Sequence, residues 1–179
     1  KANELMAHSY SHLYGIPCTG LRFFTVYGPW GRPDMAPMIF AKSILNGDAI
    51  NVFNYGMMKR DFTYIDDIVE GVYRCCYKPA YIDQDFDYLN PNLTTSFAPF
   101  RIFNIGNSQP VELLRFIEIL EDELGIKAIK NLLQIQPGDV EATAANTDLL
   151  ESWVDFKPST SVEIGVNKFA RWYLDYYKS

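Results

Sequence analysis

Residues 18–28, with the sequence CTGLRFFTVYG, decide the fold of this chain. They form a run of apolar and β-branched residues bounded by glycine, which is typical of a strand buried on both faces of a parallel sheet. The next residues, GPWGRPDMAP, hold two glycines and three prolines, a composition that predicts an irregular loop. The segment therefore predicts a buried strand whose carboxyl end opens into a loop.

Strand and helix patterns alternate along the rest of the chain. Periodicity predicts helices at 1–14, 38–46, in the second half of 61–77, at 110–125 with Pro110 in the first turn, and at 161–177. Further strands are predicted at 50–56, 100–106 and 129–136, and an exposed loop at 78–99. The alternation favours an α/β fold with a parallel sheet of three or four strands.

Composition narrows the class of partner. Of the 179 residues, 48% are hydrophobic and 21% charged, as in globular proteins. The net charge of −6 argues against nucleic acid or an anionic membrane as partner. No apolar run is long enough to span a bilayer. The three cysteines, Cys18, Cys75 and Cys76, predict free thiols in a reducing cytoplasm.

The start of the chain reads as a helix already under way. Leu5, Tyr10 and Leu13 recur at helical spacing, and Gly15 is a stop signal. There is no initiating methionine and no capping residue ahead of Lys1. We therefore expect the chain to be a piece of a longer protein.

One candidate ligand-binding residue follows the first strand. In open α/β sheets, ligands bind beyond the carboxyl ends of strands, where this chain places Thr25, Trp30 and Arg32. The planar fork of an arginine suits a carboxylate or phosphate. The alternative is a surface arginine stiffened by Pro33.

Other candidates are weaker on their own. Lys59 and Arg60 lie beside aromatic residues and suit a phosphate, although on their own they are better explained as an exposed basic pair next to Asp61. Asp139, in a Pro-Gly-Asp turn, suits a sugar hydroxyl, or is only part of the turn. His8 and His12 have the i,i+4 spacing of metal ligands but lack a third, which favours packing and predicts no metal site.

Three separated blocks carry a resemblance to a known family. They are RFFTVYGPWGRPDM at 22–35, NVFNYGMMKRDFTYIDDIVEG at 51–71 and QPGDV at 136–140. In this order they resemble the extended short-chain dehydrogenase/reductases, and among these the NAD-dependent nucleotide-sugar epimerases and dehydratases. The bacterial UDP-glucuronate 4-epimerases are the most similar branch.

The resemblance implies a fold and a division into domains. The chain would be the C-terminal part of a Rossmann-like parallel sheet, interleaved with a small α/β substrate-binding domain. Residues 1–28 and about 60–107 would belong to the sheet, and about 29–59 and 108–179 to the substrate-binding domain. The catalytic Tyr-x-x-x-Lys pair of the family would lie upstream of Lys1.

The resemblance also implies roles for individual positions. Phe24 and Val26 would border the nicotinamide, and Thr25 would touch the sugar or its phosphates. The other implied contacts are Arg32 with the uronate carboxylate, Asn51, Val52 and Phe53 with uracil, Arg60 with the diphosphate, and Asp139 with the ribose. Gln136 replaces the arginine of galactose-type epimerases, as in the uronate branch.

The implied activity is the conversion of UDP-glucuronate to UDP-galacturonate by NAD-mediated oxidation and reduction at sugar carbon 4. This chain would supply the UDP-sugar-binding part, be inactive alone, and form a homodimer partly through residues 1–14. Arg32 would reject neutral sugars, because its charge would be left unpaired. The alternatives are a non-catalytic nucleotide-sugar-binding fragment and another family member such as a sugar 4,6-dehydratase.

Overall fold

A computed structural model describes residues 1–92 and 94–177 and shows helices alternating with strands. The helices are Ala2–Tyr14 (α1), Ala36–Asn46 (α2), Ile65–Tyr77 (α3), Leu113–Leu124 (α4), Asp148–Val154 (α5) and Val162–Tyr177 (α6). The strands are Cys18–Phe23 (β1), Thr25–Tyr27 (β2), Ala49–Val52 (β3), Lys59–Arg60 (β4), Phe62–Tyr64 (β5), Phe100–Ile105 (β6), Val111–Glu112 (β7) and Ile129–Leu132 (β8). No helix in these ranges is long and apolar enough to cross a membrane.

The strands pair mostly in parallel, which confirms the predicted α/β class. β1 pairs with β6, β2 with β5 and β3 with β8, all in parallel. β4 and β7 form a short antiparallel pair. Among the described residues the strands therefore form two-stranded ladders, where the sequence predicted one sheet of three or four strands.

The prediction of one buried strand at residues 18–28 is wrong in two respects. The strand breaks at Phe24, because the chain changes partner there: the amide of Phe24 donates to the Ile105 carbonyl at 3.3 Å, and the amide of Thr25 to the Asp61 carbonyl at 3.2 Å. β1 is also only partly buried, with Phe23 53% exposed. A ladder with one partner strand leaves part of its surface uncovered.

The helices largely confirm the helical periodicity. α4 ends where predicted, at Gly125 in the left-handed conformation with φ 69°. Pro110 is not in its first turn, however, because β7 intervenes between that proline and the helix. α5 was missed: it is seven residues long, and its buried Leu150 and Trp153 supply only one apolar turn.

The larger hydrophobic core lies between α2, α4, α6 and strands β3 and β5. Tyr27 is near its centre and meets the ring of Phe116 edge to face at 5.4 Å between centroids. The backbone of α6 approaches this ring at Gly165, where a Cβ atom would lie 2.8 Å from Tyr27 Cζ. α6 therefore packs closely on β2 at Tyr27, two residues along the strand from Thr25.

The two histidines of α1 are packing residues. His8 Nε2 lies 2.6 Å from Ser96 Oγ, and its ring meets Phe97 and Phe100 edge to face. His12 also contacts the Phe97 ring, at 5.1 Å between centroids. Both imidazoles therefore hold α1 against the 94–100 segment.

Candidate functional site

One cavity brings together five residues that the sequence nominated separately. It has a volume of about 490 Å³ and lies beside α2, at the exposed face of β3 and the start of β2. The nominated residues that line it are Thr25, Asn51, Phe53, Arg60 and Asp139. Ile50, Met58 and Phe62 give it apolar walls. The cavity has the size and the mixed lining of small-molecule sites.

Arg60 supplies a positive charge to this cavity without an acidic partner among the described residues. Its Nη1 donates to the main-chain carbonyls of Lys59 at 2.9 Å and Glu141 at 3.3 Å. Its Nη2 lies 4.0 Å from Met58 Sδ. Carbonyl oxygens orient the guanidinium but leave its charge uncompensated, so the remaining N–H groups suit an anion.

Asp61 is not the counter-ion of the neighbouring basic pair, Lys59 and Arg60. Its side chain is fully buried and accepts main-chain N–H groups: those of Asn107 at 2.9 Å, Ser108 at 3.0 Å and Ala145 at 2.8 Å. These bonds join β5 to the turn after β6 and to the 143–145 segment. Sequence reasoning gave Asp61 no role, because its donors lie 46 to 84 residues away.

Of the two β3 residues predicted to contact uracil, Asn51 lines the cavity and Val52 does not. Asn51 and Asn131 are partners in the β3–β8 register, and Asn131 Nδ2 donates to Asn51 Oδ1 at 3.0 Å. Val52 is fully buried in the core and is not among the residues that line the cavity. Phe53 begins a 3₁₀ turn, Phe53–Gly56, and its ring lines the cavity.

Asp139 reaches the cavity through the turn that the sequence predicted. The Asp139 amide donates to the Gln136 carbonyl at 3.1 Å, and Gly138 has φ 90°, a conformation that favours glycine. A parallel bridge between Lys59 and Ala142 then holds the following residues beside β4. Because of this pairing, Arg60 and Asp139 line the same cavity.

Arg32 has a carboxylate partner already. Its Nε and Nη2 donate to Asp34 Oδ1 and Oδ2 at 3.1 and 2.6 Å, and the two side chains are 73% and 65% exposed. The pairing raises the pKa of Arg32 and lowers that of Asp34. Asp34 lines the cavity, whereas Arg32 does not. Arg32 is therefore already paired with Asp34 in the absence of a sugar, whereas the expected rejection of neutral sugars assumed an unpaired charge.

The two residues nominated for the nicotinamide lie outside the cavity. Phe24 is half-buried at the break between β1 and β2. Val26 is half-buried and packs against the cluster that contains Ile68 and Phe103. Val26 thus borders a second hydrophobic core, and neither residue lines the cavity around Arg60.

A Tyr-x-x-x-Lys spacing at Tyr55 and Lys59 does not form a tyrosine–lysine pair. The two residues are not on one helix: Tyr55 lies in the 3₁₀ turn with φ 52°, and Lys59 is in β4. Lys59 Nζ instead lies 3.3 Å from Glu112 Oε1. This spacing therefore carries no catalytic assignment.

In parallel α/β folds, ligands bind in crevices beyond the carboxyl ends of the strands. The model of the NAD dependent epimerase/dehydratase family matches residues 1–106. The chain belongs to this family.

Similar proteins agree with this assignment. Protein CapI of Staphylococcus aureus is 56% identical over 178 residues, which are 99% of this chain and 53% of that protein. A probable UDP-glucuronate 4-epimerase of Rhizobium meliloti is 50% identical over 182 residues, which are 99% of this chain and 52% of that protein. The chain thus spans about half the length of these curated relatives.

A solved structure shows the same fold. The UDP-glucuronic acid 4-epimerase of Bacillus cereus, in complex with UDP-glucuronic acid and NAD, has a TM-score of 0.80 and 29% identity. The likeness covers 98% of this chain and 51% of that one. The Rossmann-fold epimerases are therefore the structural class of this chain.

Proposed function

We propose that this chain is the UDP-sugar-binding part of an NAD-dependent nucleotide-sugar 4-epimerase that converts UDP-glucuronate to UDP-galacturonate. The observation that carries the proposal is the single cavity shared by Thr25, Asn51, Phe53, Arg60 and Asp139. The printed names of the Rhizobium meliloti and Bacillus cereus proteins support the choice of substrate.

Each lining residue offers chemistry that matches one part of a UDP-sugar. The guanidinium of Arg60 pairs with the diphosphate, and the Asn51 amide and Phe53 ring bind uracil. The Asp139 carboxylate accepts a ribose hydroxyl, and Thr25 contacts the sugar. Val52 contributes to the uracil site through its backbone, since its side chain is buried.

The described residues fit only part of an NAD site. None of the sequence has the G-x-G-x-x-G pattern that cradles a dinucleotide diphosphate. Phe24 and Val26 supply apolar, half-buried surface beside the end of β1, which suits one face of a nicotinamide. NAD, when bound, provides the hydride acceptor for sugar carbon 4, and its diphosphate is bound by residues outside this chain.

The role of this chain is to bind and position the substrate. We propose that the proton-transfer pair is the Tyr-x-x-x-Lys pair that the family resemblance implies upstream of Lys1. The chain alone therefore binds a UDP-sugar and does not epimerise it. We propose that the complete protein is cytoplasmic. We also propose that it is a homodimer that uses α1 in its interface, because Leu5 and Leu13 of this helix are 70% and 68% exposed.

Turnover by the complete gene product tests the proposal. With NAD and UDP-glucuronate, we expect UDP-galacturonate to form, and we expect none from this chain alone. Formation of UDP-galactose from UDP-glucose without any turnover of UDP-glucuronate would contradict the choice of substrate. A product that has lost water would identify a 4,6-dehydratase instead.

A non-catalytic nucleotide-sugar-binding fragment is the second candidate. It is favoured by the presence of all five nominated lining residues within this one chain. If the complete gene product binds UDP-glucuronate but leaves it unchanged with NAD present, this second function is the correct one.

A further inference from the structure

Asp34 and Arg32 form an ion pair in the turn just before α2. The amide of Met35 donates to the Arg32 carbonyl at 3.1 Å, so residues 32–35 make a tight turn. Pro33, between the two charged residues, restricts the backbone of that turn. The turn holds the carboxylate opposite the guanidinium, and both Asp34 oxygens accept hydrogen bonds, at 3.1 and 2.6 Å.

The two partners differ in their relation to the cavity. Asp34 lines the cavity together with Thr25 and Arg60, and Arg32 reaches it only through Asp34. Both side chains are mostly exposed, so water screens their attraction and the pair opens easily. An anionic ligand group that approaches Arg32 from the cavity meets the Asp34 carboxylate first.

We propose that Asp34 is a specificity-determining residue, which competes with the carboxylate of an acidic sugar for the guanidinium of Arg32. This inference rests on the proposed function. It adds that the uronate is bound by exchange: its carboxylate replaces that of Asp34 on the arginine. Asp34 is then left without its partner, next to a second negative charge.

The exchange reverses the usual expectation for a carboxylate-binding arginine. A neutral hexose leaves the Arg32–Asp34 pair intact and meets no unpaired charge, so the site does not reject it for that reason. The carboxylate of an acidic sugar can pair with Arg32 only when the Arg32–Asp34 ion pair is broken. Asp34 therefore reduces the preference for uronates that Arg32 alone would give.

Substitution of Asp34 in the complete, NAD-loaded gene product tests the exchange. We compare the dissociation constants of UDP-glucuronate, UDP-glucose and UDP by calorimetry for the wild type and Asp34→Asn. We expect Asp34→Asn to bind UDP-glucuronate about threefold to fivefold more tightly, the scale of one exposed ion pair. UDP-glucose and UDP should change by less than about twofold, because neither presents a carboxylate to Arg32.

Two further variants separate exchange from a general effect of charge. In an Arg32→Gln background, Asp34→Asn should have no effect on UDP-glucuronate, because no guanidinium is left to compete for. Asp122→Asn is the matched control, an aspartate that is 70% exposed and lies 2.9 Å from Lys127 Nζ; it should leave all three constants unchanged.

The outcomes distinguish this inference from the proposed function. Equal tightening of all three ligands, a persistent effect in the Arg32→Gln background, or no tightening overturns the exchange while leaving the UDP-sugar site in place. Failure of the wild type to bind any of the three ligands overturns the proposed function and the inference together.

Discussion

Arg60 Nη1 donates to the main-chain carbonyl oxygen of Glu141 at 3.3 Å, across 81 residues of sequence. The same carbonyl accepts the Lys59 amide at 2.8 Å, so β4 and the residues after the Pro-Gly-Asp turn are joined at one point. This contact places the Arg60 guanidinium and the Asp139 carboxylate around one cavity. The proposed diphosphate and ribose contacts depend on it.

Removal of the Arg60 guanidinium should weaken UDP binding. A charge-assisted hydrogen bond contributes about 1.5–3 kcal/mol, so Arg60→Ala should raise the dissociation constant of UDP by roughly 10- to 100-fold. Arg60→Lys keeps the charge but loses the planar fork, so its dissociation constant for UDP should lie between those of the wild type and Arg60→Ala. Isothermal titration of UDP into the complete gene product measures both.

Arg115→Ala is the control for this prediction. Arg115 is an exposed arginine of α4, paired with Glu163 at 3.2 Å and away from the cavity lining. The Arg115→Ala variant should bind UDP with the same dissociation constant as the wild type. Normal UDP affinity in Arg60→Ala would show that the diphosphate binds elsewhere.

The Asn131 amide should affect uracil recognition although it is absent from the cavity lining. It donates to Asn51 Oδ1 and so holds the Asn51 side chain in one orientation. Asn131→Ala releases that side chain, and we expect an affinity for UDP about threefold to tenfold lower, the value of one hydrogen bond. Affinity for inorganic pyrophosphate should not change. An equal loss for both ligands would contradict a role in binding the base.

Asp61 should be required for stability. Asp61→Ala leaves buried N–H groups of Asn107, Ser108 and Ala145 without their acceptor, which should lower the free energy of unfolding by about 3 kcal/mol or more. Urea denaturation of this chain measures the loss. Asp48→Ala, at an exposed aspartate after α2, should change stability by less than about 0.5 kcal/mol. A loss below about 1 kcal/mol in Asp61→Ala would mean that water replaces the carboxylate.

The sequence predicted the helices better than the arrangement of the strands. The period of α4 and the glycine after it are local signals, and so is the turn before Asp139. The break at Phe24 depends instead on Ile105 and Asp61, which lie far along the chain. Likewise, no local pattern shows that Asp61 is buried or that Asp34 forms an ion pair with Arg32. Long-range hydrogen bonds and ion pairs are what the sequence left undetermined.

The close approach of α6 to Tyr27 predicts that Gly165→Ala is destabilising. The added methyl group would overlap Tyr27 Oη and lie 2.8 Å from Cζ, so α6 must shift from β2. We expect a loss of about 1–3 kcal/mol in urea denaturation, partly recovered when Tyr27→Phe removes the hydroxyl. Gly20→Ala is the control, because its Cβ would make an ordinary 3.5 Å contact with Ile102. Equal stability of Gly165→Ala and Gly20→Ala would contradict the packing described.

Glu121 should make the protein sensitive to acid. Burial raises the pKa of this carboxyl, but hydrogen bonds from Lys130, the Ala128 amide and Lys127 outweigh it, and the net pKa lies below the ordinary 4.5. Because the folded-state pKa is lowered, the stabilisation is present above about pH 4.5 and is lost as the pH falls through the folded-state value.

Glu121→Gln should therefore be less stable than the wild type near neutral pH and should lose less stability on acidification. Urea denaturation at a series of pH values from 6 to about 3 measures both slopes. Glu118→Gln, at an exposed glutamate 3.7 Å from Arg115, should follow the wild type closely. Parallel pH profiles for Glu121→Gln and the wild type would exclude Glu121 as the source of the acid sensitivity.

A crystal structure of the complete gene product with NAD and UDP-glucuronate tests the central claim most directly. We expect the diphosphate at the guanidinium of Arg60 and the uracil between Asn51 and Phe53. A diphosphate bound at another cationic surface, such as the groove lined by Arg74 and Lys78, with the Arg60 cavity unfilled, would contradict the account.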